Sequence, residues 1–240
     1  MVATSGRRKL PPHQRNPGVA LTPQGQTIMT LALRDLGEAR DFEKTWHLQE
    51  SLVQQRREGR ISDTLLLLEH FPVYTIGRTR DQSSLRDTSH LPHPIVEINR
   101  GGQGTYHGPG QLVGYAILDL NESKRDLHLH LRNLEEALIQ TLADYHIQAH
   151  RRDDLTGVWV EDRKIASLGV GVRQWITLHG FALNVQSSSL PPFQHITPCG
   201  LDGVSMTCAE KEADRPISMA EIKPLVFTHL QDILSKERED

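Results

Sequence analysis

Thirteen consecutive residues constrain this chain most: Arg100-Gly101-Gly102-Gln103-Gly104-Thr105-Tyr106-His107-Gly108-Pro109-Gly110-Gln111-Leu112. Five glycines fall among the eleven residues from Arg100 to Gly110, between two apolar, β-rich segments. Glycine permits positive φ and lets a ligand come close to the backbone. The run therefore reads either as a long hairpin loop or as a ligand-contacting loop. Arg100, Tyr106 and His107 favour the second, because a mere turn has no use for them. It is not a Walker loop, since no Gly-Lys-Ser/Thr follows. The spacing also breaks the Gly-x-Gly-x-x-Gly dinucleotide fingerprint.

The segments around this run alternate without a regular βαβ order. Thr27–Leu33 reads as a first strand. Asp35 is placed to cap a helix from about Leu36 to Glu58, which Gly59 stops. Asp63–Glu69, with four consecutive leucines, suits a strand covered on both faces. Val73–Gly77 follows as a short strand, and 79–93 reads as loop. Ile95–Asn99 leads into the glycine run, and Leu112–Leu120 leads out of it as a buried strand. Leu127–Tyr145 carries helical periodicity through Leu131, Leu134, Leu138 and Leu142. Gly157–Val160, Lys164–Val172 and Ile176–Val185 read as strands, with Glu161-Asp162-Arg163 as a hairpin tip. Residues 186–199 read as loop. The last helix covers about Ser218–Lys236, with Ser218 and Glu221 forming a capping box. This mixture points to an α+β fold.

At 240 residues the chain is long enough to bury a large core unaided. Its apolar runs, such as Leu65–Leu68 and Leu112–Leu118, are far too short to span a membrane. Residues 1–26 hold Arg7, Arg8, Lys9 and Arg15 and no acid, so they carry +4 of a net −3, and the remainder carries −7. We read 1–26 as a disordered basic head and 27–240 as a single domain. Nothing in the net charge suggests nucleic acid. The two cysteines, Cys199 and Cys208, are too few for a disulfide framework and lack metal-ligand spacing, which fits a reducing, cytoplasmic setting. On residue type alone either one reads as a small buried hydrophobe or as a nucleophile. The 13 histidines include no His-Glu-x-x-His, and no metal is expected.

The glycine run resembles the signature of the lipoyl/octanoyl transferase family, Arg-Gly-Gly-x-x-Thr-Tyr-His-Gly-Pro-Gly-Gln. Three further blocks agree in order and spacing. They are Leu68-Glu69-His70 through Gly77-Arg78, then Gly157-Val158-Trp159-Val160 with Lys164-Ile165-Ala166-Ser167-Leu168-Gly169 and Gly180-Phe181-Ala182-Leu183-Asn184, and finally Ile196 with Pro198-Cys199-Gly200. Phe71 and Ala116 depart from the pattern where prolines are common, and Cys208 is no part of it.

The resemblance implies a biotin/lipoate protein ligase-like fold: a mixed β-sheet flanked by helices, with a smaller C-terminal part from about residue 200. It implies Cys199 as nucleophile and Lys164 as base. It also implies a substrate cleft formed by Arg100, Gly101, Gly102, Gln103, Gly104, Thr105, Tyr106, His107, Ser167, Leu168, Gly169, Gly180, Phe181 and Ala182. The ring of Tyr106, Leu168 and Phe181 are expected to line an apolar slot for an eight-carbon chain. The implied donor is an acyl carrier protein bearing the acyl group on its phosphopantetheine arm, with no cofactor of the enzyme's own. The implied acceptor is a lysine on lipoyl domains of 2-oxoacid dehydrogenases or on the glycine cleavage H protein. Arg78, Arg80, Arg151, Arg152 and Arg173 are candidates for a basic patch that receives the acidic carrier.

The chemistry is physically reasonable. Passing an acyl group from thioester to amine is eased by a covalent intermediate. The attacking species is the thiolate, and a free cysteine has a pKa of about 8.5. A lysine beside it can stabilise the thiolate as ammonium. When desolvation lowers its pKa from about 10.4 it can also take the proton. An ATP-dependent ligase of the same fold would need no Pro-Cys-Gly block. A non-catalytic acyl-binding module would need no Lys–Cys pair. A papain-like hydrolase would need a His base, for which no local motif speaks.

Overall fold

The computed structural model describes residues 19–21, 27–29, 31–77, 82–85, 88–98, 103–197, 200 and 203–239. Its strands are β1 (Val19–Leu21), β2 (Thr27–Met29), β3 (Ala32–Arg40), β4 (Thr64–His70), β5 (Val73–Ile76), β6 (Ile95–Glu97), β7 (Thr105–His107), β8 (Gln111–Ile117), β9 (His150–Arg152), β10 (Leu155–Val160), β11 (Arg163–Arg173) and β12 (Ile176–Asn184). Its α-helices are α1 (Phe42–Arg57), α2 (Leu127–Ala143), α3 (Ala209–Ala213) and α4 (Met219–Glu239).

Seven strands form one mixed sheet in the order β3-β4-β8-β12-β11-β10-β9, with β3 and β4 parallel and the other pairs antiparallel. Alternation along the strands builds two cores. On one face Leu65, Leu67, Leu112, Phe181 and Leu183 pack with Leu134 and Leu138 of α2 and with Ile222, Val226 and Leu230 of α4. On the other, Leu66, Leu68, Val113, Tyr115, Leu178 and Ala182 pack with Leu52 and Val53 of α1. All seven residues of β4 are buried, as the leucine run requires. A second sheet, β6-β5-β7, covers a smaller cluster of Tyr74, Ile76, Leu85, Tyr106, Phe193 and Ile196. No helix among the described residues is long and apolar enough to cross a membrane.

Four sequence expectations change. The first helix starts at Phe42, capped by Asp41, whose carboxylate accepts from the Lys44 N–H at 2.9 Å. Residues 36–40 instead complete β3, because Asp35 turns its carboxylate to the Gly37 N–H and to Lys223 Nζ on α4. Val19–Leu21, inside the presumed head, pairs antiparallel with Thr27–Met29; the rest of 1–26 lies outside the described residues. The chain after residue 200 is no separate part, since α4 completes the α2-side core. The glycine run is not all loop, because Thr105–His107 forms β7. The capping box of the last helix is present: Glu221 N–H to Ser218 Oγ at 3.2 Å, and Ser218 N–H to Glu221 Oε2 at 2.8 Å.

Two fully enclosed histidines make the fold acid-sensitive. His70 and His130 are both buried, and burial holds each at a pKa of about 4, below the ordinary 6.5. The folded state thus binds fewer protons than the unfolded chain between these values, so stability falls as pH drops from 6.5 toward 4. At pH 5 the loss is about 2 kcal/mol for each ring. Urea midpoints at pH 7 and pH 5 should differ accordingly, and His130→Leu should shrink the difference. Equal midpoints in the unaltered protein would contradict this.

Candidate active site

A pocket of about 220 Å³ lies on the α1-facing side of the large sheet. Its floor is Ser167 and Gly169 of β11 with Gly180 and Ala182 of β12, which face each other in register. Phe42, Thr105, His107, Tyr115 and His179 wall it, and Gln103, Asp154, Thr156 and Lys164 complete it.

Lys164 reaches this pocket because of a β-bulge. Between β10 and β11, Val158 pairs with Ala166 but Trp159 pairs with Lys164, so Ile165 is the extra residue. Ile165 and Ala166 both enter the α2-side core, and the change in alternation turns Lys164 toward the pocket. The lysine is 2% exposed. Its Nζ donates to the Thr156 carbonyl at 3.0 Å and lies 5.3 Å from the centroid of the Trp159 ring. The stem passes over Gly157, at φ +141°, where a Cβ would sit 2.5 Å from Lys164 Cε. A buried ammonium is costly unless paired, and the carbonyl and the indole face answer part of that cost.

Cys199 lies outside the described residues, as do Pro198, Arg100, Gly101, Gly102, Arg78 and Arg80. The described residues on either side of the cysteine are held locally, and the chain further on pairs with Lys164. Thr197 N–H donates to Ser84 O at 2.7 Å, and Gly200 N–H to Thr197 O at 2.9 Å. Gly200 has φ +67° and abuts the Gln103 amide so closely that a Cβ would lie 1.4 Å from Gln103 Oε1. Further on, Lys164 N–H donates to Ser205 O at 2.9 Å, and Thr207 N–H to Lys164 O at 3.0 Å.

The polar end of the pocket is pre-oriented. Gln111 Nε2 donates to Tyr106 O at 3.1 Å and to Asn184 Oδ1 at 3.0 Å, which turns its Oε1 to His107 Nδ1 at 2.8 Å. The proton of His107 therefore sits on Nδ1. Asn184 Nδ2 in turn donates to Thr207 O at 3.1 Å, joining the glycine run to the segment that pairs with Lys164. His70 Nδ1 donates to Arg40 O at 2.9 Å, so its Nε2 accepts from Tyr115 Oη at 2.7 Å. His179 holds φ +64° within β12, and its N–H donates to the buried Gln49 Oε1 at 2.8 Å. Buried Glu69 accepts from Gly110 N–H at 2.8 Å, and burial raises its pKa.

Of the expected cleft residues, Gln103, Thr105, His107, Ser167, Gly169, Gly180 and Ala182 meet at the pocket with Lys164. Leu168 and Phe181 border it, yet their side chains belong to the α2-side core; the Phe181 ring lies over Gly114. The Tyr106 ring packs 5.5 Å from Tyr74 and 5.7 Å from Phe193, and does not line the slot. Gly104 serves packing against Leu85, and its N–H donates to Ser84 Oγ at 2.9 Å. Gly180 is dictated by the sheet, since a Cβ there would lie 2.3 Å from Gly114 O on β8. The three candidate docking arginines among the described residues are engaged: Arg151 with Glu135 and Glu136, Arg152 over the Trp159 ring, Arg173 with Glu50. Tyr115, Phe42 and His179 escaped the sequence reading. His179 had one signal, its place directly before Gly180.

The lipoyl protein ligase A/B catalytic domain family matches residues 41–231. An octanoyltransferase of Geobacter sulfurreducens is 52% identical over 188 residues, covering 78% of each chain. One of Syntrophotalea carbinolica is 46% identical over 204 residues, covering 85% of this chain and 94% of that one. Among solved structures, a putative lipoate protein ligase of T. acidophilum with bound lipoic acid has a TM-score of 0.65 at 16% identity, covering 86% of both chains. A biotin protein ligase of Aquifex aeolicus, in complex with biotin and ATP, has a TM-score of 0.55 at 18% identity, covering 87% of this chain and 72% of that one. At such identities the two structures speak for the biotin/lipoate protein ligase-like fold alone.

Proposed function

The chain belongs to the lipoyl protein ligase A/B catalytic domain family, and we propose that it is an octanoyltransferase, moving an octanoyl group from acyl carrier protein to a lysine of lipoyl domains in lipoate synthesis. The observation that carries this reading is Lys164: a buried amine at an acyl-sized pocket, tied by backbone bonds to the segment that follows Cys199.

In the first half-reaction the Cys199 sulfur attacks the thioester carbonyl carbon of the donor. A new C–S bond forms, the bond to the phosphopantetheine sulfur breaks, and the thiol proton passes through Lys164 to the departing thiolate. In the second, the neutral amine of the acceptor lysine attacks the acyl-enzyme. The amide forms, the Cys199–acyl bond breaks, and the amine's proton returns through Lys164 to the cysteine sulfur. Each step exchanges one acyl bond for another, so no nucleotide or other cofactor is consumed. Acceptors of the proposed class are lipoyl domains of 2-oxoacid dehydrogenases and the glycine cleavage H protein, and the shared reducing compartment is the cytoplasm. The reaction is tested by mixing enzyme, octanoyl-carrier protein and a lipoyl domain without ATP. The domain is expected to gain one octanoyl mass; a gain that requires ATP would make the chain a ligase instead.

The slot also sets a chain-length preference. Each methylene buried contributes about 0.8 kcal/mol, so a hexanoyl donor should bind about 15-fold more weakly than an octanoyl donor. Comparable kcat/KM for both donors would place the chain elsewhere. Gly169→Val is the variant to compare across donors, because Gly180→Val collides with β8 whatever the substrate.

A further inference from the structure

We infer that Glu135, on α2, is a positioning residue for Lys164 and acts through a single peptide group. The inference rests on Lys164 being the base. Glu135 is 1% exposed, although its helix faces the core on the far side of the sheet from the pocket. Its Oε1 accepts from the Gly157 N–H at 2.9 Å. The carbonyl of that same peptide group is Thr156 O, which accepts from Lys164 Nζ at 3.0 Å. A peptide unit is planar, with N–H and C=O pointing opposite ways. A carboxylate at one end and an amine at the other are therefore linked in one hydrogen-bonded line.

Three features say that this line is built. The first is the broken ladder. The bulge at Val158/Trp159, with the parallel irregularity on the β9 side, deprives β10 of regular pairing next to Gly157. Glu135 takes the amide that results. The second is that the carboxylate is held on its other oxygen, by Arg132 Nη1 at 2.7 Å and by an ion pair to Arg151 Nε at 3.3 Å. Its orientation is thereby fixed. The third is Gly157, whose missing Cβ leaves room for the lysine stem while its N–H faces Glu135. Burying a carboxylate is expensive, and a neutral glutamine would satisfy one amide at less cost. The charge has a use if it polarises the peptide, since hydrogen bonds in series strengthen one another and ionised partners shorten and stiffen them. The Thr156 carbonyl is then a stronger and better-aimed acceptor for the ammonium.

The test is Glu135→Gln, which keeps an oxygen for Gly157 and removes the charge. Single-turnover acylation is expected to slow about 10- to 100-fold, the usual scale for a displaced catalytic group. The KM for octanoyl-carrier protein should stay within about twofold of the unaltered value. In parallel, protein carrying ¹³C-methylated lysines is titrated by NMR, with the Lys164 resonance assigned by its loss in Lys164→Ala. Its midpoint should move to lower pH in Glu135→Gln, because the ammonium loses its negative backing. A folded Gln variant with unchanged acylation and an unchanged Lys164 midpoint overturns the inference, even if its melting temperature falls. Should that variant not fold, Arg151→Gln replaces it; freeing the carboxylate of one cation should move the midpoint up, and no movement overturns the inference. If Lys164→Ala acylates normally, the assignment of the base fails by itself, while the titration still decides whether Glu135 acts on Lys164.

Discussion

Cys199→Ala is expected to end octanoyl transfer, and to remove the covalent octanoyl adduct from the intact mass of enzyme incubated with octanoyl-carrier protein. In the proposed mechanism there is no acyl-enzyme without the sulfur, and the two half-reactions collapse into a direct attack by the acceptor amine. That attack needs both macromolecular substrates at one carbonyl at once, which forfeits the advantage of a divided reaction. Cys208 offers no replacement. It is fully buried at the N-cap of α3, and its sulfur faces Ser187 Oγ at 3.6 Å. Cys208→Ala should accordingly keep most activity and all of the adduct. An adduct that survives Cys199→Ala and disappears in Cys208→Ala would reverse the assignment.

The legible part of this molecule is the part written locally. The leucine run of β4, the helical period of α2 and the Ser218–Glu221 capping box each state their structure within a few residues, and each is found in place. What failed locally was decided from afar. Asp35 has the chemistry of a cap, but its carboxylate is taken by Lys223, on the last helix, so the chain stays extended to Arg40. Thr105-Tyr106-His107 looks like part of a glycine-rich loop until β5, some thirty residues earlier, offers it a strand to pair with.

The pocket follows the same division. Lys164, Ser167, Gly169 and Ala182 were readable from their blocks, and they converge. Which side chains fill the slot was not, because it depends on which face of the sheet each strand residue occupies. A one-residue bulge at Ile165 resets that parity for Lys164, while Leu168 and Phe181 fall on the core side. Glycine was also ambiguous in sequence: Gly157 makes room for the Lys164 stem, whereas Gly180 makes room for a neighbouring strand. Glu135 carries no signal of its own beside Glu136 in α2, and it gains meaning only through the amide it meets.

Lys164→Ala should leave the fold intact and slow acylation by roughly 10²–10⁴-fold, the range for a positioned acid–base group. The fold survives because the main-chain bonds of residue 164 to Ser205 and Thr207 do not involve the side chain. In the proposed mechanism the side chain does two things that alanine cannot. It supplies a cation where thiolate charge develops, and it carries the proton from Cys199 to the donor's departing thiolate and later from the acceptor amine back to Cys199. Lys164→Arg separates these roles. A guanidinium keeps the charge but does not give up its proton near neutral pH, so proton carriage is lost. The Arg variant should therefore recover little of the lost rate. Stopped-time acylation assays at fixed pH, with octanoyl-carrier protein in excess, distinguish the outcomes. Unaltered rates in the Arg variant would confine residue 164 to an electrostatic role, and unaltered rates in the Ala variant would remove it from the mechanism.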